Sequence, residues 1–286
     1  MCPRGKEEAL TTYEPDNSIR KGLWSIFQDI TDEIRKNHWL TYQLFKRDFS
    51  ALYKQSFMGL LWVFIVPVFS VSTFVVLNHS GIFNVGAVEV PYPLYAVLGL
   101  SLWQLFSSGL VAQINSLTEA GTMIKLINFS KKSLIFASTG RALVAFGIQV
   151  LFTAALFVWF GVWPHPQTVF LPLALIPLLL LMFGMGFILS ILNAVMRDIG
   201  NALSMLMTFF MFLTPILYVR PQGGLLARIT NVNPLYYLVI GPRDLVLKGK
   251  FSEPAGYWAS AAFALGLFIV CLVVFHLTET KITERV

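Results

Sequence analysis

Charge is missing from five long stretches of this 286-residue chain: residues 55–88, 90–118, 142–196, 199–219 and 254–278 contain no Lys, Arg, Asp or Glu. A helix needs about 20 mainly apolar residues to cross a hydrocarbon core of ~30 Å, and each stretch is long enough. The longest is interrupted by Trp163-Pro164-His165-Pro166-Gln167, a turn-forming cluster that divides it in two. Six membrane spans are therefore expected, at 57–77, 93–113, 134–160, 170–195, 201–218 and 257–277, which makes the fold class an all-α polytopic membrane protein. A hydrophobic fraction of 56% and a mean hydropathy of +0.69 exceed the range of ordinary globular domains. Tyr53, Tyr92, Trp159, Trp163, Tyr218, Tyr257 and Trp258 fall near the span ends, as in an aromatic belt.

The 21 Lys and Arg set the expected orientation. Nine lie in the segment ending at Lys54, four in 114–141, one at Arg197, and two in the tail at Lys281 and Arg285. The other five lie in the 220–256 connection, while the 78–92 and 161–169 connections have none. Cytoplasmic termini put 16 basic residues inside and five outside, which is what the positive-inside rule asks for. The pI of about 9.3 then reflects anionic membrane lipid, and no nucleic-acid partner is needed to explain it. No cleavable signal peptide is expected, since the first 37 residues are mixed and polar. Cys2 falls in the tail and Cys271 inside a span, so neither a disulfide nor a metal site is expected.

Four segments follow: a cytoplasmic extension (1–37), an amphipathic interface helix (38–56), the six-span domain (57–278) and a cytoplasmic tail (279–286). In the extension, Leu23, Ile26, Phe27, Ile30 and Ile34 recur with helical period. In the next segment Trp39, Tyr42, Phe45, Phe49, Leu52 and Tyr53 share one face, and Gln43, Arg47, Ser50 and Lys54 another. Such a helix is either a surface anchor or the side wall of a substrate entrance. The 220–256 connection carries a second local signal: Asn233 at the N-cap, Pro234 in the first turn and Gly249 just past the end delimit a helix. About 15 residues at ~1.5 Å each are too short to cross. Leu235 to Ile240 are too apolar for an aqueous loop, so this helix is expected to be re-entrant or interfacial on the outer side.

The chemistry that is missing narrows the function. His276, near the cytoplasmic end of the last span, and Arg141, near the cytoplasmic end of the third, are the His and charged residues inside the spans, and His276 reads as interfacial. Proton-coupled transporters carry such groups at mid-membrane, so proton drive is disfavoured. There is no G-x-x-x-x-G-K-[ST] phosphate loop. Glu89, Asp244 and Glu253 are the only outer carboxylates, too few for an embedded hydrolase or glycosyltransferase. No catalytic residue, metal ligand or cofactor is assigned to this chain. If it moves cargo uphill, another chain supplies the energy.

Four motifs in register with the six spans carry a resemblance. Arg47-Asp48-Phe49, Tyr53-Lys54, Ser56, Gly59-Leu60-Leu61-Trp62 and Pro67 resemble the opening signature of type-2 ABC transporter permeases. The similarity is to the branch that exports O-antigen, capsular polysaccharide and teichoic acid. Met185-Gly186, Leu189-Ser190, Leu192-Asn193 and Arg197-Asp198 are similar to that family's end of span four. Leu213-Thr214-Pro215-Ile216-Leu217-Tyr218 is similar to its end of span five, and Asn233-Pro234-Leu235 to the start of its outer re-entrant helix.

The resemblance implies a homodimer with one cytoplasmic ATP-binding subunit under each copy, ATP and Mg residing on that partner. It also implies export of lipid-linked polysaccharide from a bacterial inner membrane; the rival cargoes are a drug or lipid, and the rival class is an enzyme of lipid-linked sugar metabolism. Family members carry a coupling helix between spans two and three, matching about 117–132 here, with Glu119, Thr122, Lys125 and Phe129 as candidates. Members usually have Phe-Pro where this chain has Phe129-Ser130. For Lys125, Lys131 and Lys132 taken singly, plain positive-inside charge is the favoured reading. The family lines its channel with spans one and five, which nominates Trp62, Phe69, Thr208, Phe209 and Phe212, with Ser204 on the same stripe. Aromatic faces pack against sugar C–H faces, but Phe in a bilayer protein also faces lipid or packs between helices. Arg47 and Arg197 are candidates for a phosphate or pyrophosphate head group, since guanidinium binds phosphate bidentately. Gly186-x-x-x-Ser190 and Gly256-x-x-x-Ser260-x-x-x-Ala264 read as close helix packing.

Overall fold

The computed structural model describes residues 23–54, 61–80, 85–86, 88–126, 129–221 and 223–282. Among them the chain forms helices α1 (Leu23–Lys36), α2 (His38–Lys54), α3 (Leu61–His79), α4 (Tyr92–Glu119), α5 (Gly121–Leu126) and α6 (Lys132–Phe160). A 3-10 turn (Pro166–Phe170) leads into α7 (Leu171–Val195), followed by α8 (Asp198–Leu213), α9 (Gly224–Val232), α10 (Pro234–Lys248) and α11 (Pro254–Ile282). No strand occurs among the described residues. Four helical segments among them are long and apolar enough to cross a membrane: Tyr92–Glu119, Lys132–Phe160, Pro166–Val195 and Pro254–Glu279. Two shorter apolar helices, Phe64–His79 and Asp198–Leu213, fall in the first and fifth expected spans. Residues 1–22, the start of the first span at 57–60, Asn128 and the tail beyond 282 lie outside the described residues.

Helix α4 is the central post. In its most apolar stretch 78% of residues are buried, against 17% for α6, so the bundle is built around α4. Leu102, Trp103, Phe106 and Leu110 of α4 pack with Leu178, Leu181 and Met182 of α7 and with Leu203 and Met207 of α8. A small residue permits close backbone approach: a Cβ on Gly184 of α7 would lie 3.1 Å from the Phe268 backbone of α11. Several polar side chains inside the bundle pair across helices, although Gln113 Oε1 is buried without a partner. Gln113 Nε2 donates to Thr139 Oγ1 at 2.7 Å, and Gln149 Nε2 donates to Gln104 Oε1 at 2.5 Å. Asn193 donates to the Ile114 carbonyl and accepts from the Gly200 amide, which ties α7, α4 and α8 together.

Local signals account for several boundaries. Asn233 Oδ1 accepts from the Leu235 amide at 3.0 Å, and α10 stops at Gly249, whose φ of +69° suits a residue without Cβ. Gly161 ends α6 in the same left-handed conformation, next to the Trp163–Gln167 cluster. The fifth helix is shorter than expected: α8 ends at Leu213, not at 218. Pro215 pushes the residue before it out of the helical region, and Thr214 sits at φ −93°, ψ 120°. The expected face of α2 is also divided. Leu44 and Phe45 turn into the protein, Phe45 against the bare backbone of Gly140, while Trp39 and Tyr42 remain exposed.

Candidate functional site

Helices α1, α2 and α5 gather at the end of the bundle where α4 finishes and α6 begins. Ile30 of α1, Leu44 of α2, Leu117 of α4, Ile124 of α5, Ile135 of α6, Phe187 of α7 and Phe275 of α11 form one buried cluster there. The short helix α5 falls inside the expected 117–132 segment. Ile124 anchors it, Phe129 packs against the same cluster, and Glu119 and Thr122 point outward. Lys125 lies on α5, and its side chain is outside the described residues. An anchored helix with an exposed polar edge can transmit a push from a partner into the bundle.

Arg47 lies beside this helix. Its Nε donates to Asp48 Oδ1 at 2.9 Å, and its Nη1 reaches Met123 Sδ of α5 at 3.5 Å. Arg197 is exposed just before α8, and no ion pair among the described residues joins it to Asp198 or to Arg47. The two proposed head-group arginines are thus not brought together by any described contact.

Below α5 is a charge cluster that local sequence did not reveal. Lys132, 1% exposed, extends its ammonium to Glu33 Oε2 of α1 at 2.7 Å and to Glu279 Oε2 of α11. Glu279 Oε1 also accepts from the Lys131 amide at 2.5 Å. His276 Nδ1 lies 3.8 Å from Glu33 and has no hydrogen-bond partner. Burial would raise the Glu33 carboxyl, but the Lys132 ammonium, Ser130 and His276 outweigh it and hold the group below its ordinary value. Besides adding to the positive-inside charge, Lys132 is thus a buried ionic hub. Glu33, His276 and Glu279 offer ligand atoms within 4.8 Å of one another, yet the Lys132 ammonium already supplies the positive charge between the two carboxylates.

The candidate conduit residues lie on exposed faces of α3 and α8. Phe69 is 70% exposed and Phe209 64%, and Trp62, Thr208 and Phe212 are also exposed. The Phe74 and Phe212 rings, 6.4 Å apart, bring the far ends of α3 and α8 together. Ser204 turns its hydroxyl back to the Gly200 carbonyl, so that hydroxyl proton is not offered outward. Among the described residues, a single copy therefore carries an aromatic wall that is largely exposed.

The opposite end carries α9 and α10. Arg220 forms a two-pronged pair with Glu253 at 2.8 and 2.7 Å, and Glu253 also accepts from Tyr236 Oη at 2.9 Å. Burial and the Glu253 charge both push the Tyr236 hydroxyl up, so it stays a proton donor. A cavity of about 190 Å³ lies under α10. A larger one of about 250 Å³, between α4, α6 and α10, has no ionisable residue in its lining.

A family model described as ABC-2 type transporter matches residues 40–247. An O-antigen export system permease protein RfbA from Myxococcus xanthus is 22% identical over 259 residues, 89% of this chain and 98% of that protein. Two proteins of the same name from Klebsiella pneumoniae are 27% and 24% identical, each over 83% of this chain and 91% of its own length. The match spans α2 to α10, and the apolar helices follow in the order a multi-pass subunit requires; the chain belongs to the ABC-2 type transporter family, as a transport permease and not an enzyme.

Proposed function

We propose that this chain is the permease subunit of an ATP-driven exporter that carries lipid-linked polysaccharide, O-antigen in particular, across a bacterial inner membrane. The end-to-end similarity to O-antigen export permeases carries the cargo assignment. The largely exposed aromatic wall of α3 and α8 suits it, because ring faces hold sugar C–H faces without fixing one register. In this reading α3 and α8 belong to the first and fifth of six spans, and α9 and α10 are re-entrant on the outer side. The segments 1–37, 38–56, 57–278 and 279–286 are the extension, interface helix, transmembrane domain and tail, and both termini are cytoplasmic.

Two copies face each other across the α3 and α8 walls to enclose the conduit. A cytoplasmic ATP-binding subunit docks on each α5, meeting Glu119, Thr122, Lys125 and Phe129, and holds the ATP and Mg. This chain needs no cofactor of its own. Arg47 and Arg197 meet the anionic head group at the cytoplasmic mouth. Reconstitution with the ATP-binding partner tests the reading: equal numbers of the two subunits and ATP-dependent movement of a lipid-linked glycan are expected. Uphill transport by this chain alone, or a preference for a capsular polymer, teichoic acid, drug or lipid, would overturn the engine or the cargo respectively.

A further inference from the structure

We propose that the cavity under α10 binds one neutral, hydroxyl-rich sugar residue of the exported chain, as an exit site separate from the aromatic wall. Residues 88–90, α4, the segment after Pro215, α10 and Ser252 line it. Its key group is Arg243, which is 3% exposed. The guanidinium stacks 3.7 Å from the centroid of the Tyr95 ring, and Nη1 donates to the Ile216 carbonyl at 2.8 Å. Those contacts fix the plane and leave Nε buried with no hydrogen-bond partner. A buried donor without a partner is costly and calls for an acceptor. Among the described residues Arg243 has no ion pair with the adjacent Asp244, although Asp244 lines the same cavity and is itself buried.

Charge balance selects the ligand class. The lining cations are Arg220, Arg243 and Lys248, and Arg220 is already neutralised by Glu253. The remaining two share the lining with the carboxylates of Glu89 and Asp244. A phosphate would meet both acids, whereas a polyol donates to carboxylates and accepts from guanidinium and ammonium. Tyr95 and Tyr236 add apolar ring edges to the lining, their faces being covered in part by Arg243 and Arg220.

The inference rests on the glycan reading above, and the test keeps the two apart. Full-length protein in nanodiscs is probed by saturation-transfer NMR with the methyl glycosides of mannose, galactose, glucose and rhamnose, and with inorganic pyrophosphate as a competitor. Transfer to at least one glycoside is expected, weakened about tenfold by Arg243→Gln, which removes a charged donor. Ser252→Trp, at the exposed rim, leaves the buried network intact and is expected to block the same signal with the unfolding temperature unchanged. If Arg243→Gln does not fold, Ser252→Trp decides. Silence from every glycoside in folded protein, a signal that survives Ser252→Trp, or displacement of a bound glycoside by pyrophosphate overturns the exit site. Silence in a protein that still exports polysaccharide sinks this site alone; failure to export sinks the glycan reading as well.

Discussion

The Lys132 ammonium is held between Glu33 and Glu279, residues 99 and 147 positions away in the chain. Removing one member of a buried ion pair leaves the other charge uncompensated, at a cost of about 3–5 kcal/mol. Lys132→Met is therefore expected to lower the unfolding temperature of the purified protein sharply, and an unchanged melt would show the cluster to be ornamental. Glu33 adds a pH dependence whose sign follows from its lowered carboxyl. Its stabilising contribution is complete above the ordinary value of 4.5 and is lost as pH falls through the lowered folded value. Hydrogen exchange along α1 is expected to accelerate only in that acid range, and Glu33→Gln is expected to abolish the acid step. Nothing near Lys132 in sequence hints at this role, because a basic residue at a span edge looks the same whether it faces water or a distant carboxylate.

Among the elements, α10 was the most legible, since its limits are written in adjacent residues. Asn233→Ala removes a cap worth about 1 kcal/mol and also the bond to Thr214 Oγ1, so a loss of at least that size is expected in denaturant melts. Gly249→Ala forces a side chain into left-handed backbone at a cost of about 1–2 kcal/mol and drives its Cβ into the His165 ring. The end of α8 and the facing of α2 were less legible for different reasons. Pro215 acts on the residue before it, and Leu44 and Phe45 follow a neighbouring helix that periodicity cannot see. For α5, exposed Thr122 is the sharper probe, because Ile124 carries the packing. Thr122→Trp is expected to cut ATP-driven export by about tenfold or more, as loss of an interface anchor does, without altering the melt of the isolated permease.

At the scale of the whole molecule, the charge-free stretches located the apolar helices well, because desolvating charge is a constraint on every residue of a span. They could not identify which aromatics stay unpacked, since that depends on where α4 stands and what it covers. The double variant Phe69→Ala and Phe209→Ala tests the wall directly. Both side chains are exposed, so stability is expected to change by no more than about 0.5 kcal/mol per site while export falls. Unaltered export would move the conduit elsewhere. The Gly184 crossing bears on how such a bundle can move. With an added Cβ there only 3.1 Å from the Phe268 backbone, α7 and α11 have no slack to slide past each other. A displacement of either helix at this crossing is therefore expected to carry the other with it, so that α7 and α11 act as one rigid unit.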